Sequence, residues 1–135
     1  MNEINRKNIG RIGLSMAINY FTVNGYTVSI PMNDTQWYDI VIEKDGVFQT
    51  VQCKATSKDV IDFRSTGGTK GEVYDNLLNH SELDYLFCVN GEFEMWLIPI
   101  KDITTTRQIT LRKEPTKNGQ GFQTYKYRVR ISDKA

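Results

Sequence analysis

The first part of the chain places apolar side chains at every third or fourth position. Over residues 5–24 this spacing predicts an amphipathic α-helix. Gly10, Gly13 and Ala17 fall on one face of that helix. Because an interior glycine costs roughly 1 kcal/mol of helix stability, we expect this face to pack closely against a sheet or a ligand. Asn24-Gly25 then ends the helix as a capping pair.

The next part of the chain shows the two-residue alternation of β-strands. It predicts strands at Tyr26–Ile30, Trp37–Glu43 and Val47–Ala55, the first ended by Pro31. Lys44-Asp45-Gly46 between the second and third strands is a tight-turn signal, which predicts a β-hairpin.

The remaining segments complete the picture of a mixed β-sheet. One helix followed by a run of strands indicates an α/β or α+β fold, and 135 residues suit a single domain spanning residues 1–135. The last predicted strands form two pairs, the first of which turns at Asn90-Gly91. The predicted segments are a short strand at Val60–Phe63, a flexible loop at Ser65–Gly71, a short helix near Val73–Leu78, the paired strands Leu83–Val89 and Phe93–Pro99, and a terminal hairpin of Thr110–Arg112 with Gln123–Ile131.

Composition and charge exclude several classes of protein. Hydrophobic residues make up 39% of the chain and charged residues 24%, so the chain can bury a core and is not broadly disordered. A net charge of +1 argues against sequence-independent coating of DNA, but it allows a DNA enzyme that uses acidic residues as metal ligands. With no recognisable leader or membrane span, and with Cys53 and Cys88 expected to be buried free thiols, we expect a cytoplasmic protein.

Polar residues interrupt both apolar strands of the predicted hairpin. Folding about Asp45-Gly46 brings Asp39 near Gln52, and Lys54 shares a strand face with Gln52 because it lies two positions further on. A carboxylate suits Mg²⁺, to which the Gln52 amide and the Cys53 main-chain carbonyl could add neutral oxygens. Such a metal activates a bound water, while Lys54 can orient that water and offset transition-state charge. The pattern predicts a phosphodiester-cleaving site, although spacing alone also allows a plain solvent-facing stripe.

The order of several short motifs over roughly residues 7–99 favours the catalytic interpretation. In this order the chain resembles the PD-(D/E)xK nuclease superfamily, more narrowly its group I intron-associated homing endonucleases and more distantly the archaeal Holliday-junction resolvases. The resemblance implies a restriction-endonuclease-like fold, with a mixed β-sheet core and an N-terminal helix. The motifs that carry it are Asn8–Gly13, Gly25–Pro31, Tyr38–Val41, Val51–Lys54 and Trp96–Pro99.

The resemblance also implies roles for individual residues. Asp39 matches the metal-binding Asp, Gln52 stands at the acidic position where some members carry Gln, and Lys54 matches the catalytic Lys. Similar family members cut double-stranded DNA with Mg²⁺, commonly as symmetric oligomers. We therefore expect Mg²⁺ or Mn²⁺ as cofactor, duplex DNA as partner and a homo-oligomer, dimer or tetramer, with no membrane and no nucleotide cofactor.

One position departs from the family pattern. The family helix often reads Gly-x-x-Gly-Glu with a metal-binding Glu, and here Leu14 follows Gly13. With Gln52 neutral as well, Asp39 is the one firm anionic ligand unless Asp34 folds back towards the metal. The sequence thus predicts a carboxylate-poor site with loose metal binding and weak or no catalysis.

Candidate DNA contacts outside the site are mainly basic side chains. Lys126, Arg128 and Arg130 alternate with Tyr and Val, which predicts either a strand face that follows phosphates or an ordinary solvated face. His80 is expected to be a turn histidine, with a role as general base as the alternative. The residues assigned to DNA contact are Lys7, Arg11, Arg64, Lys70 and Tyr74.

Three functional hypotheses follow from these observations. The first is a site-specific, metal-dependent DNA endonuclease that uses Asp39, Gln52 and Lys54. The second is a catalytically degenerate nuclease fold that binds DNA or protein, which Leu14 and Gln52 favour. The third is a nuclease with the same site that acts on RNA or DNA junctions.

Overall fold

A single helix packs across one face of the sheet and begins the described part of the chain. The structure is a computed structural model that describes residues 8–33, 35–67 and 72–131. Helix α1 spans Ile9–Val23 and buries Gly13, Ala17, Tyr20 and Phe21 against the sheet. The predicted helix is therefore confirmed over these residues, while residues 5–7 lie outside the described part.

Within the described residues ten strands follow the helix, most of them short. They are β1 (Thr27–Ser29), β2 (Ile40–Lys44), β3 (Val47–Ala55), β4 (Val60–Asp62), β5 (Arg64–Gly67), β6 (Glu72–Asn76), β7 (Tyr85–Val89), β8 (Met95–Pro99), β9 (Gln108–Thr110) and β10 (Arg128–Val129). Single 3-10 turns lie at Leu77–Asn79, Ile100–Asp102 and Thr124–Tyr127.

The central sheet is mixed, as the sequence predicts. Its six strands run in the order β1-β2-β3-β7-β8-β10, and β3 pairs with β7 in parallel while the other neighbours are antiparallel. The predicted hairpin of β2 and β3 is confirmed. Asp45 and Gly46 link its strands with φ values of 52° and 81°, the backbone of a two-residue turn that matches the twist of the paired strands.

Hydrophobic side chains fill both faces of this sheet. A helix-side cluster under α1 includes Phe87 and Val89, and a far-side cluster includes Leu86 and Cys88. Because successive residues of β7 point to opposite faces, one strand serves both clusters. The far-side cluster is closed by Ile61 and Ile109, which face each other in the β4–β9 pair.

Two predictions for the middle of the chain are wrong. Residues 65–67 of the predicted loop belong to β5, whereas residues 68–71 lie outside the described part. The short helix predicted near Val73–Leu78 is instead strand β6 followed by one 3-10 turn. Pairing of Arg64 with Asn76 extends this segment, and the Asn76 side chain then accepts the Leu78 N–H at 2.8 Å and starts the turn.

The predicted terminal hairpin is also wrong, because its two arms pair with other strands. Thr110 lies in β9 beside β4, and Arg128 lies in β10 beside β8. Between them, the buried Thr124 hydroxyl donates to Thr110 O at 2.6 Å and accepts the Arg112 N–H at 2.9 Å. These side-chain bonds take the place of a ladder between the two arms.

Both cysteines are free thiols, as expected, with Cys88 buried and Cys53 partly buried. None of the helices within the described ranges is long and apolar enough to cross a membrane.

Two glycines, one exposed on α1 and the other in the turn between β7 and β8, predict opposite effects of the same substitution. Gly10→Ala should stabilise the protein by up to about 1 kcal/mol, since an added Cβ meets nothing within 4 Å and alanine favours a helix. Gly91→Ala should destabilise it by about 1–3 kcal/mol, since the Cβ would lie 2.5 Å from the Ser57 carbonyl oxygen. Urea unfolding of both variants measures these changes, and equal shifts would contradict this packing.

Candidate functional site

Asp39 stands immediately before β2, at the end of the hairpin away from the turn. Its N–H donates to Val51 O at 2.9 Å, and the next residue, Ile40, pairs with Val51. The paired register ends at Ile40 and Val51, and beyond it the Asp39 side chain reaches the main chain of Cys53, the residue after Gln52. The structure therefore brings together the two strand segments in which the sequence analysis placed its candidate site.

The Asp39 carboxylate is held by the main chain of the neighbouring strand. Its Oδ2 accepts the Cys53 N–H at 2.7 Å, and Oδ1 has no hydrogen bond to another described residue. Burial raises the pKa of Asp39, against the opposing effects of the Cys53 N–H and the Lys54 ammonium. The site thus carries a carboxylate that is costly to keep ionised and has one oxygen available for a ligand.

Gln52 and Lys54 lie on the far side of the sheet from α1. Val51 and Cys53 pack into the helix-side cluster, so the alternation of β3 turns Gln52 and Lys54 the other way. Both side chains are half-buried. They stand beside β7, the neighbouring parallel strand of the sheet.

The Cys53 thiol contributes apolar bulk, while its main chain faces the site. Burial, together with the Asp39 charge, raises the pKa of Cys53 far above its ordinary value, so the thiol stays protonated. A protonated thiol is a poor metal ligand. Of this residue only the main-chain carbonyl suits a hard cation.

The donor set is one carboxylate, one amide oxygen and one carbonyl oxygen. Across the three described stretches no group of three or more His, Cys, Asp or Glu side chains could hold a metal ion. Hard oxygens with a single charge nevertheless fit Mg²⁺, which keeps several waters and often takes only one or two carboxylates. Zn²⁺ or another ion that needs a full set of side-chain ligands does not fit.

Neighbouring acids do not add to this set among the described residues. Leu14, at the position of the family Glu, packs against the helix-side cluster. Glu43 accepts the Gly46 N–H at 3.0 Å and so belongs to the hairpin turn at the other end of the strands. Asp34, the other acid considered, lies outside the described residues.

An aromatic stack supports the segment that leads into Asp39, and sequence reasoning missed it. The Trp37 ring stacks on His80 with centroids 4.1 Å apart. The imidazole is held by Asp75, 2.7 Å from Nε2, and Glu82, 3.3 Å from Nδ1. Both ring nitrogens face carboxylates, which hold the ring against Trp37, and the alternative of a general base stays a prediction. Because 43 positions separate His80 from Trp37, no local sequence pattern indicates this stack.

The residues assigned to DNA contact have different surroundings. Arg11 is exposed on α1. Arg64 forms an ion pair with Asp62, with Nη2 and Oδ2 2.6 Å apart. The main chain of Tyr74 lies in β6, but its side chain, like the whole of Lys7 and Lys70, lies outside the described part.

The expected basic strand near the C-terminal end is not a continuous strand. Lys126 lies in the 3-10 turn Thr124–Tyr127, and β10 contains only Arg128 and Val129. Arg128 Nη2 is 2.6 Å from Glu94 Oε2, so its charge is compensated within the fold. The predicted strand with an alternating basic face is therefore wrong.

A family model described as PD-(D/E)XK endonuclease matches residues 4–128. The chain belongs to the PD-(D/E)XK endonuclease family. The match spans α1, both hairpin strands and the C-terminal segment through Arg128, which extends beyond the region over which sequence motifs carried the resemblance. No curated protein sequence matches this chain.

Two solved structures share the fold of this family member. A bacterial homing endonuclease, I-Ssp6803I, is 22% identical with a TM-score of 0.60, and the alignment covers 88% of this chain and 84% of that one. A Holliday junction resolvase from the archaeon Archaeoglobus fulgidus, Hjc, is 8% identical with a TM-score of 0.50, over 74% of this chain and 81% of that one. The restriction-endonuclease-like fold expected from the resemblance is confirmed.

The raised pKa of Asp39 predicts that removal of its charge stabilises the protein. Asp39→Asn keeps an acceptor for the Cys53 N–H, and at pH 7 we expect a gain of about 0.5–2 kcal/mol in unfolding free energy. The gain should shrink as the pH falls through the raised pKa towards the ordinary value of 3.8, where wild-type Asp39 becomes protonated. Urea unfolding at several pH values measures it.

Asp62→Asn is the matched control for this measurement. The Arg64 side chain lowers the pKa of Asp62 to about 2, so its contribution to stability is present above pH 4 and is lost as the pH falls towards 2. Asp62→Asn should therefore give no gain at pH 7. A gain from Asp62→Asn as large as that from Asp39→Asn would contradict the assignment of burial as the cause.

Proposed function

We propose that this protein is a site-specific DNA endonuclease that hydrolyses phosphodiester bonds with a divalent metal, Mg²⁺ or Mn²⁺. The observation that carries the proposal is the hydrogen bond from Cys53 N–H to Asp39 Oδ2, which holds a half-buried carboxylate against the strand that bears Gln52 and Lys54. A half-buried charged side chain that lowers stability, next to groups such as Gln52 and Lys54 that can bind a metal or a phosphate, is typical of functional sites.

Each member of this group has a proposed role. Asp39 Oδ1, the Gln52 amide oxygen and the Cys53 carbonyl would hold the metal, which when bound lowers the pKa of a water and offsets charge on the phosphate. The Lys54 ammonium would orient the attacking water and stabilise the added negative charge on the phosphate oxygens. The Lys54 side chain is half-buried on the same face of the sheet as the far-side cluster, and its partial removal from water strengthens these charge interactions.

Double-stranded DNA is the proposed partner. Membership of an endonuclease family supports a nucleic-acid substrate, and the chain aligns over more of its length with the homing endonuclease than with the resolvase. A four-way junction is the competing substrate.

We also propose a homo-oligomer, dimer or tetramer, because two symmetry-related active sites suit the cleavage of both DNA strands and a small single domain reads a long target poorly. Val47 and Phe48 expose 60% and 71% of their surfaces beside the Asp45-Gly46 turn. That end of the hairpin lies about 17 Å from Asp39, at roughly 3.4 Å per strand residue, so an interface there leaves the site accessible. Light scattering measures the molar mass, and so the number of protomers in the oligomer.

A plasmid-nicking assay tests the proposed site directly. In Mg²⁺ or Mn²⁺ we expect the wild type to convert supercoiled plasmid, and Asp39→Asn or Lys54→Met to lower the rate by at least about 100-fold. Lys101→Met is a suitable control, because this exposed lysine follows β8 at the opposite end of the sheet. Activity that survives both site substitutions would refute the assignment.

Gln52 can be tested by restoring the acid that its position usually carries. Gln52→Glu adds a second charged oxygen ligand, so half-maximal cleavage should need several-fold less Mg²⁺. An unchanged metal requirement, with a rate that still depends on Asp39, would mean that Gln52 is not a ligand. Equal melting temperatures of the variant and wild type would exclude misfolding as the cause of a slow rate.

The second candidate function is a nuclease fold that binds DNA without cutting it. Leu14 packs against the helix-side cluster, and the described residues contain no charged metal cluster; both observations favour this alternative. The same plasmid, followed by electrophoretic mobility shift in the presence of Mn²⁺, separates the two. Retention of DNA with no nicking at any metal concentration would support the binding module, and faster cutting of a four-way junction would redirect the proposed substrate.

A further inference from the structure

The segment Asp62-Phe63-Arg64 joins two small sheets beside the far-side cluster. Phe63 is fully buried; its N–H donates to Arg107 O at 2.8 Å and its carbonyl accepts the Leu77 N–H at 2.9 Å. Asp62 and Arg64 on either side of it direct their side chains to the surface. The buried Phe63 therefore fixes the main chain from which both charged side chains emerge.

Asp62 holds the Arg64 guanidinium in one orientation. Arg64 Nε is 3.0 Å from Oδ1 and Nη2 is 2.6 Å from Oδ2, and the Arg64 N–H also donates to Oδ1 at 2.8 Å. Both carboxylate oxygens thus bind the side edge of the guanidinium. Of its five N–H groups, both on Nη1 and one on Nη2 are not used by Asp62.

The unused groups suit one kind of acceptor. An N–H on Nη1 and the remaining N–H on Nη2 are parallel donors, which match the O6 and N7 acceptors of guanine in the major groove. A phosphate also accepts such a pair, but the Asp62 charge nearly cancels that of Arg64 and so weakens the attraction for an anion. The Asp62 charge weakens the attraction of Arg64 for a neutral pair of acceptors much less. The Asp62–Arg64 ion pair therefore favours contact with a base edge over contact with the DNA backbone.

The position of Arg64 agrees with this kind of contact. Arg64 begins β5, which pairs only with β6 among the described strands and forms a two-stranded ribbon apart from the central sheet. A two-stranded ribbon is one of the elements that the major groove admits. We propose that Arg64, oriented by Asp62, is a specificity-determining residue that donates two hydrogen bonds to one guanine of the DNA target. This inference rests on the proposed DNA-cutting function.

A selection from randomised duplex DNA tests the proposal without a known target. The reference protein is the Asp39→Asn variant in Mg²⁺, which leaves the selected DNA uncut. We expect one position in each half-site, one for every subunit that contacts the DNA, at which guanine is preferred about 5- to 150-fold over other bases. Arg64→Ala in this background should abolish that preference and leave the other positions unchanged.

Asp62→Asn distinguishes orientation of Arg64 from a purely structural role. Removal of the carboxylate charge should weaken the guanine preference and at the same time raise affinity for unrelated DNA, because Arg64 is then free to contact phosphates. Simple loss of structure would lower both affinities. Arg11→Ala is the matched control, an exposed arginine that should lower affinity for all sequences alike without a change in base preference.

Different results would overturn different statements. If Arg64→Ala weakens binding to all sequences equally and lowers by about one the slope of log affinity against log salt concentration, Arg64 contacts a phosphate and the inference is wrong. If the guanine preference survives Arg64→Ala, another residue makes the contact. If the reference protein retains no DNA from the pool while its melting curve matches that of the wild type, the proposed DNA substrate itself fails.

Discussion

The two-residue turn at Asp45 and Gly46 sets the pairing of β2 with β3, and the arrangement of the site depends on that pairing. With this turn, Ile40 lies opposite Val51, and the next position along brings Asp39 within reach of the Cys53 N–H. A slip of one residue would turn every side chain of one strand to the other face of the sheet. Lys54 would then point towards α1, into the helix-side cluster, and the carboxylate would lose its main-chain donor.

Burial makes the Asp39 carboxylate costly to stability and also suits it to its proposed role as a metal ligand. The protein keeps Asp39 among apolar neighbours where its charged form is disfavoured, and a single main-chain N–H with a nearby ammonium offsets only part of that cost. A second acid at the position of Leu14 on α1 would place a further negative charge in a partly buried position. Leu14 at that position instead adds apolar contacts to the cluster, so the helix here favours stability where the family pattern favours a metal ligand.

The sequence predicted what depends on local pattern and missed what depends on distant contacts. The helix follows from its apolar spacing and the β2–β3 hairpin from Asp45-Gly46, because both are determined by neighbours in the chain. Pairing of β9 with β4 and of β10 with β8 joins segments far apart, which no turn signal announces. The same limit applies to the Trp37–His80 stack, whose partners share no local pattern. The proximity of Asp39 to Gln52 was predictable because a short hairpin joins them.

The parallel pairing of β3 with β7 has a consequence for the order in which the molecule folds. The hairpin can close early, since only two residues separate its strands, whereas β7 must return across the connection from residue 56 to residue 84. Contacts that close long loops form late, because the chain loses entropy before they stabilise it. We expect a folding intermediate in which the hairpin already holds Asp39 against Cys53, while β7 has not yet paired with β3 beside Lys54. The proposed site would then be complete only after β7 pairs with β3.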